Sequence, residues 1–203
     1  AVASDADGET PTIVYEWTNG AGTVLGATDT LELTPTTAIP GDIIQCAATA
    51  TDGFGGSDSG TAQITVENTN PTVDSVVIAP ATGINTSTTL TCTATASDPD
   101  GGTPSLSYVW TDGSGVVLSS TDTVVLTPTS TFPGDTITCA VTAKDADGGE
   151  DSSASNVTVE NTAPTVDSVS VTPSVGVLTD TVLTCSATAS DPDGGLPALT
   201  YAW

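Results

Sequence analysis

Pairs of aspartates stand beside glycines at several places in the chain, two of them in the central part, and carboxylates in this arrangement could perform different kinds of chemistry. The segment SDPDGG contains Asp98 and Asp100, and the segment KDADGGED contains Asp145 and Asp147. Acidic oxygens in a DxD spacing before glycine suit a hard cation such as Ca²⁺, although no EF-hand loop is present. The alternative is ordinary turn chemistry, in which Asp caps its own backbone and Gly supplies a positive φ. A glycosidase acid and nucleophile is a poor third interpretation, because the pairs recur along the chain on short turns.

The charge balance excludes several other functions. The 203 residues include 25 acidic residues, the single base Lys144 and no His, which gives a net charge of −24. Nucleic-acid binding and adhesion to anionic lipid both need clustered Lys or Arg. Imidazole chemistry is impossible, and a developing oxyanion would find almost no cationic partner. No apolar run is long enough to span a bilayer. The sequence therefore predicts no nucleic-acid partner, no membrane insertion of this segment and no enzyme.

The chain repeats itself with a period of 93 residues. Trp17, Trp110 and Trp203 follow one another at this spacing, as do SDADG at 4–8 and SDPDG at 97–101 and 190–194. The register never slips, so strands and turns keep their lengths in each copy. We predict a partial repeat at 1–69 that lacks its first two strands, a complete repeat at 70–162, and a partial repeat at 163–203 with the first three strands. We expect the chain to be a piece of a longer tandem array.

The complete repeat divides into short runs in which apolar and polar residues alternate. The predicted strands are 73–79, 88–96, 105–111, 116–118, 121–128, 136–143 and 153–160. Alternation with a period of two predicts one buried and one solvated face on each strand, and hence antiparallel sheets packed in pairs. Seven strands in 93 residues is the size of an immunoglobulin-type sandwich. The predicted fold class is all-β, with tandem immunoglobulin-like antiparallel β-sandwiches.

The cysteines fit such a sandwich. Cys92 and Cys139 lie 47 residues apart on two strands whose cysteines face inward, with Trp110 on a strand between them. This Cys…Trp…Cys pattern is typical of an immunoglobulin core, where a disulfide packs on indole, and the alternative is a pair of buried free thiols. The equivalent positions Trp17 and Trp203 are predicted core residues as well. A disulfide would place the protein in an oxidising compartment, outside the cell or at its surface.

Cys46 and Cys185 are left without a partner by this pairing. We expect both to pair with cysteines outside residues 1–203. Alternatively, Cys185 pairs with Cys46 of a neighbouring copy by exchange of strands, although residues 1–17 and 187–203 would then supply the same strand twice.

Five motifs resemble the tandem immunoglobulin-like repeats of large bacterial surface and extracellular proteins, akin to PKD-like and cadherin-like modules. They are VENTNPT at 66–72, ATASDPDGG at 94–102, YVWTDGSG at 108–115, PGDTITC at 133–139 and TAKDADGGEDS at 142–152. The resemblance covers the whole chain. It implies the sandwich fold, whereas such modules serve as spacers, adhesins and accessory domains alike.

Acidic residues collect at the predicted boundaries between repeats. In this topology the two acidic loops and the incoming linker lie at the same end of the sandwich. The predicted calcium ligands are Glu67, Asn68, Asp98, Asp100, Asp145 and Asp147 at one boundary and Glu160, Asn161, Asp191 and Asp193 at the next. Cadherin-like modules use calcium at such junctions to stiffen a rod, and no other cofactor is expected. Plain turns with solvated charge remain the alternative.

These observations favour a structural role. We predict a long extracellular rod, filament or surface appendage whose partners are copies of itself, along or across a filament. The alternative is the stalk of a large cell-surface adhesin, with its binding domain outside this segment. A carbohydrate-binding module is less favoured, because the tryptophans occupy core positions and only Phe54 and Phe132 fall in loops.

Overall fold

The chain is entirely β. The computed structural model describes residues 1–203, which form thirteen strands, and it contains no helix that could cross a membrane. The strands are β1 (Thr12–Asn19), β2 (Val24–Gly26), β3 (Ile43–Thr51), β4 (Ser57–Thr65), β5 (Thr72–Ala79), β6 (Thr89–Ser97), β7 (Ser105–Thr111), β8 (Val117–Ser119), β9 (Thr123–Val125), β10 (Thr136–Lys144), β11 (Glu150–Thr158), β12 (Thr165–Thr172) and β13 (Thr184–Ser190).

The backbone packs into two compact units. The first comprises Ala1–Thr72, Ala96–Ser105 and Ala143–Asp151, and the second comprises Val73–Thr95, Leu106–Thr142 and Ser152–Trp203. The first unit contains the sheet β2-β1-β3-β4 together with two loops that connect strands of the central repeat. Each boundary between repeats therefore falls inside one compact unit.

A disulfide-linked core lies in the second unit. The sheets β5-β6-β9 and β11-β10-β7-β8 supply its side chains. Cys92 of β6 is bonded to Cys139 of β10, so the disulfide joins the two sheets. Trp110 is fully buried beside them, and its indole Nε1 donates to the carbonyl oxygen of Thr121 at 3.1 Å. The structure thus confirms the predicted fold class, an all-β immunoglobulin-like sandwich.

Alternation along each strand decides which side chains enter this core. On β10, Ile137, Cys139 and Val141 are fully buried, whereas the residues between them are half-buried or exposed. The β7–β8 turn follows from local chemistry, since the side chain of Asp112 accepts from the backbone nitrogens of Ser114 and Val116. Seven strands, β5 to β11, form the central repeat, and β7 has the predicted bounds.

Three strands differ from prediction. Strand β9 is shorter than 121–128, because turns closed on the Thr127 carbonyl by Ser130 and Thr131 begin directly after it. Strand β11 starts three residues before 153, since Asp145 N donates to Gly149 O and closes a tight hairpin with β10. Residues 198–203 form no strand, although three strands were expected in 163–203. The equivalent strand β7 is hydrogen-bonded to β8 and β10, whose equivalents would lie beyond residue 203.

Two of the three predicted core tryptophans are not in a core. Trp17 is half-buried and Trp203 is 81% exposed, against 0% for Trp110. Residues 1–69 form one sheet, and residues 163–203 form the two-stranded sheet β12-β13. Residues 1–203 include only part of the repeats that contain Trp17 and Trp203, so their place in a core stays a prediction, whereas Trp110 lies where two sheets face each other.

Removing the central disulfide should destabilise the sandwich without changing its fold. The chain-entropy model gives about 3–4 kcal/mol for closing a loop of 47 residues. We expect Cys92→Ala/Cys139→Ala to lower the free energy of unfolding by this amount in urea titrations. Both chains should carry Cys46→Ser and Cys185→Ser to prevent disulfide exchange. An unchanged unfolding midpoint would contradict the expected role of the bond.

Candidate functional site

The linker between the first two repeats is tied to an acidic loop. In the loop between β6 and β7, Asp98 Oδ1 accepts from Asp100 N at 2.8 Å, and Gly101 N donates to Asp98 O at 3.1 Å. This turn presents Asp100 to the linker, where Thr69 N donates to Asp100 Oδ2 at 2.5 Å. Both partners belong to the first compact unit. The second aspartate of SDPDGG therefore accepts a hydrogen bond from a backbone N–H of the linker.

The loop between β10 and β11 holds the same linker through a side chain. Asp145 Oδ1 accepts from the backbone nitrogens of Asp147, Gly148 and Gly149 at 2.9, 2.6 and 2.8 Å. Its other oxygen, Oδ2, accepts from Asn68 Nδ2 at 2.9 Å. The Asn68 hydrogen bond, followed by the backbone hydrogen bonds, holds the pKa of Asp145 below its ordinary value of 3.8, although desolvation acts in the opposite direction.

Gly149 leaves the room that this contact needs. A Cβ at Gly149 would lie 2.8 Å from both Asn68 Nδ2 and Asn70 Oδ1, and it would overlap Asp145 Oδ2. Asn70 Nδ2 donates to the Glu150 carbonyl oxygen at 3.4 Å. Asn68 Oδ1 is buried and has no hydrogen-bond partner. Two linker amides and one loop carboxylate thus fill the space beside a buried glycine.

The next boundary repeats the first contact 93 residues later. Thr162 N donates to Asp193 Oδ2 at 2.5 Å, and Asp191 Oδ1 accepts from Asp193 N at 3.0 Å. Asp193 is only 5% exposed, and its Oδ1 also accepts from Thr86 Oγ1 at 3.0 Å. All of these groups lie in the second compact unit. The recurrence shows that the linker contact belongs to the repeat.

A glycine–proline contact recurs in the same way. A Cβ at Gly101 would lie 3.2 Å from Pro35 Cβ, and one at Gly194 would lie 3.3 Å from Pro128 Cβ. Sequence reasoning missed these prolines and the donors Thr69 and Thr162. The shared LTPT segments at 33–36 and 126–129 carried the signal for the prolines. The threonines donate through backbone nitrogen, which leaves no signature in a sequence.

The predicted calcium ligands do not converge. No group of three or more acidic, His or Cys side chains could hold a metal ion. Asp98, Asp100, Asp145, Asp191 and Asp193 accept hydrogen bonds from N–H groups. The side chains of Glu67, Asp147, Glu160 and Asn161 are exposed, and Glu160 Oε1 accepts from Gly83 N. Donor groups therefore already contact five of the predicted carboxylate ligands. Calcium binding stays a prediction from the sequence.

Two thiols remain free. Cys46 on β3 and Cys185 on β13 are half-buried, and neither is bonded to another cysteine. Their predicted partners outside residues 1–203 stay a prediction. The one ion pair joins Lys144 Nζ to Glu150 Oε1 at 2.5 Å, and both side chains are about half exposed. Pairs this exposed contribute little to stability.

The contact between Asp145 and Asn68 should make stability depend on acid pH. Because the pKa of Asp145 is lower in the folded chain, its stabilising effect is present above the ordinary value of 3.8 and is lost as the pH falls through the folded pKa. We expect Asp145→Asn to lower the free energy of unfolding at neutral pH, with a loss that shrinks under acid. Urea titrations across this range measure it. Asp147→Asn is the control, since that exposed side chain receives none of these bonds. A loss independent of pH would contradict the assignment.

The comparison with protein families agrees with the fold described above. Residues 68–159 match the family model of the bacterial Ig domain. The structure of an amphioxus IgVJ-C2 molecule is similar at 17% identity and a TM-score of 0.40, over 78% of this chain and 92% of that one. A tetra-tandem repeat from the extending region of a large adhesion protein is similar at 16% identity and a TM-score of 0.35. That match covers 89% of this chain, which spans 56% of the other. No protein of curated function matches the chain. Residues 68–159, which include most of the central repeat, are thus similar to the bacterial Ig domain family.

Proposed function

We propose that this chain is a structural segment of an extracellular rod, built from tandem immunoglobulin-like domains and used as a filament or surface appendage. The observation that carries the proposal is the recurring linker contact. Thr69 N binds Asp100 and Thr162 N binds Asp193, with the same atoms and the same 2.5 Å separation. A hydrogen bond that recurs at both boundaries between repeats suits a protein in which the orientation of successive domains must be fixed.

The linker itself limits bending. Pro71 and Pro164 follow the tied threonines by two residues, and each proline fixes φ and removes a backbone donor. The backbone N–H of each threonine donates to a carboxylate, which forms a stronger hydrogen bond than a neutral acceptor would. At the first boundary Asn68 and Asn70 add contacts to the β10–β11 hairpin. Few backbone torsions therefore remain free at the joint.

The charge distribution also suits a rod. A net charge of −24 with one base keeps neighbouring chains from associating non-specifically. The boundary aspartates accept backbone or amide N–H groups, which occupies the oxygens that acid–base catalysis would need. These features support a non-catalytic role outside the cell, where the Cys92–Cys139 disulfide is stable.

Removing the acidic acceptors should loosen the joints. We expect Asp100→Ala/Asp193→Ala to broaden the interatomic distance distribution from small-angle X-ray scattering, because Thr69 N and Thr162 N lose their acceptor. Asp100→Asn/Asp193→Asn retains an oxygen acceptor and should resemble the parent. All chains should carry Cys46→Ser/Cys185→Ser, so that the measurement reports on single chains.

Each alternative outcome has a definite meaning. Identical scattering from the parent and the Ala variant would show that the linker contacts do not fix the joint, and the rod proposal would fail. The parent should scatter alike in Ca²⁺ and in EDTA if these hydrogen bonds suffice. Loosening of the parent in EDTA would instead assign the joint to calcium. An adhesin stalk would differ by carrying a non-repetitive binding domain at its tip.

A further inference from the structure

The chain enters and leaves the central repeat through edge strands. Strand β5 begins directly after Pro71, and β6 is its only neighbour in the sheet β5-β6-β9. Strand β11 ends two residues before Glu160, and β10 is its only neighbour in the other sheet. An edge strand is held in its sheet by one ladder of hydrogen bonds, whereas a central strand is held by two. Tension along the chain therefore reaches the two most easily detached strands of the repeat first.

The disulfide divides the central repeat into two parts. The inner loop runs from Cys92 to Cys139 and contains β7, β8 and β9, and the outer segments, residues 70–91 and 140–162, contain β5 and β11. The cysteines are 47 residues apart in a repeat of 93 residues. The disulfide therefore closes a loop that takes up about half of the repeat.

The outer segments cover the disulfide. Cys92 is 1% exposed and Cys139 is 0% exposed. Both belong to a buried cluster to which the outer segments contribute Ile78, Ile84, Leu90, Val141, Val157 and Val159. Detachment of the outer segments removes these side chains from the cluster. A reagent in solution can then reach sulfur atoms that the folded repeat buries.

The end of the repeat is tied to both parts. Val159 exchanges two backbone hydrogen bonds, at 2.8 and 2.9 Å, with the segment between β9 and β10 in the inner loop. Glu160 N donates to Ile84 O at 2.6 Å, and Glu160 Oε1 accepts from Gly83 N at 2.9 Å. All of these groups lie in the second compact unit. Because they stand between β11 and the following linker, these bonds must break before β11 detaches.

We propose that the central repeat lengthens under tension in two stages: the outer segments detach while the Cys92–Cys139 disulfide holds the inner loop, and a thiol reductant cleaves that disulfide only after they have detached. This inference rests on the proposed rod function, because a rod carries tension along its length. It gives the disulfide a second role beside stabilising the fold. The bond limits how far the repeat extends, and it is a site of thiol–disulfide exchange that tension exposes.

The two stages differ in length by a calculable amount. An extended residue spans at most about 3.5 Å, so an opened repeat reaches about 320 Å without the disulfide and about 160 Å with it. Cleavage of the bond should therefore lengthen an opened repeat by about 160 Å, which doubles its extension.

The cleavage is an exchange with a dithiol reductant. One thiolate of the reductant attacks the sulfur of Cys92 or Cys139, forms a mixed disulfide and releases the other cysteine as a thiolate. The second thiolate of the reductant then closes a cyclic disulfide and releases the remaining cysteine. The protein disulfide gains two electrons, which the dithiol loses. Each attack needs a sulfur atom that the thiolate can reach, and the folded repeat offers none.

Single-molecule stretching of the full chain tests the first stage. The chain carries Cys46→Ser and Cys185→Ser, and peptide tags at its two ends attach it to the instrument. Without reductant, its full extension should be about 160 Å shorter than that of a chain that also carries Cys92→Ala/Cys139→Ala. This difference does not depend on whether the variant folds, because it compares fully extended chains. Equal extensions would overturn the proposal.

Dithiothreitol tests the second stage on the disulfide-bonded chain itself. Held open at constant force in dithiothreitol, the chain should give one further step of about 160 Å, at a rate proportional to the reductant concentration. Held for the same time at a force too low to open the repeat, it should keep its disulfide. Equally fast cleavage at low force, or an opened chain without the further step, would overturn the proposal.

Glu160 provides a matched pair of variants. Glu160→Ala removes the acceptor of Gly83 N and should lower the force at which the repeat opens. Glu160→Gln keeps an oxygen acceptor and should resemble the parent. Neither variant should change the 160 Å step. An unchanged opening force in Glu160→Ala would contradict the tie at the end of β11. The scattering test of the joints applies no tension and changes other residues, so the two proposals fail independently.

Discussion

A single β-sheet with an apolar face must cover that face with a second sheet, and the rest of this structure depends on that constraint. Where two sheets meet, in the central repeat, Trp110 and the Cys92–Cys139 disulfide are fully buried. Where residues 1–69 supply one sheet, Ile64 is exposed, although its equivalent Val157 is buried in the central repeat. One repeating sequence therefore gives two outcomes, and the presence of the opposing sheet decides between them.

Carboxylates at the repeat boundaries accept hydrogen bonds from backbone N–H groups. Asp100 and Asp193 are positioned by turns that begin at Asp98 and Asp191. The local turn therefore places the carboxylate that binds the linker. The sequence left two interpretations open, calcium ligation and plain turns, and neither of them included a hydrogen bond from the linker to the second aspartate. The turn orients its second aspartate, and that aspartate receives an N–H from the linker. Acidic side chains at the repeat boundaries can thus fix the linker by accepting hydrogen bonds from its backbone N–H groups.

Much of the fold could be predicted because alternation and spacing are one-dimensional signals. The strand limits of β7 and the inward faces of β6 and β10 follow from apolar residues at every second position. The exposure of Trp17 and Trp203 could not be predicted from the repeat, since burial depends on which strands lie opposite. The linker contacts were also beyond prediction, because Thr69 and Thr162 act through backbone nitrogens that any residue except proline possesses.

Hydrogen–deuterium exchange on the full chain tests the dependence of each sheet on its partner most directly. In dilute solution with the Cys92–Cys139 disulfide intact, amides of β6, β7 and β10 should exchange slowly, and those of β12 and β13 should exchange much faster. Equally slow exchange throughout the chain in dilute solution would contradict the account, since an uncovered sheet would then be as stable as a covered one.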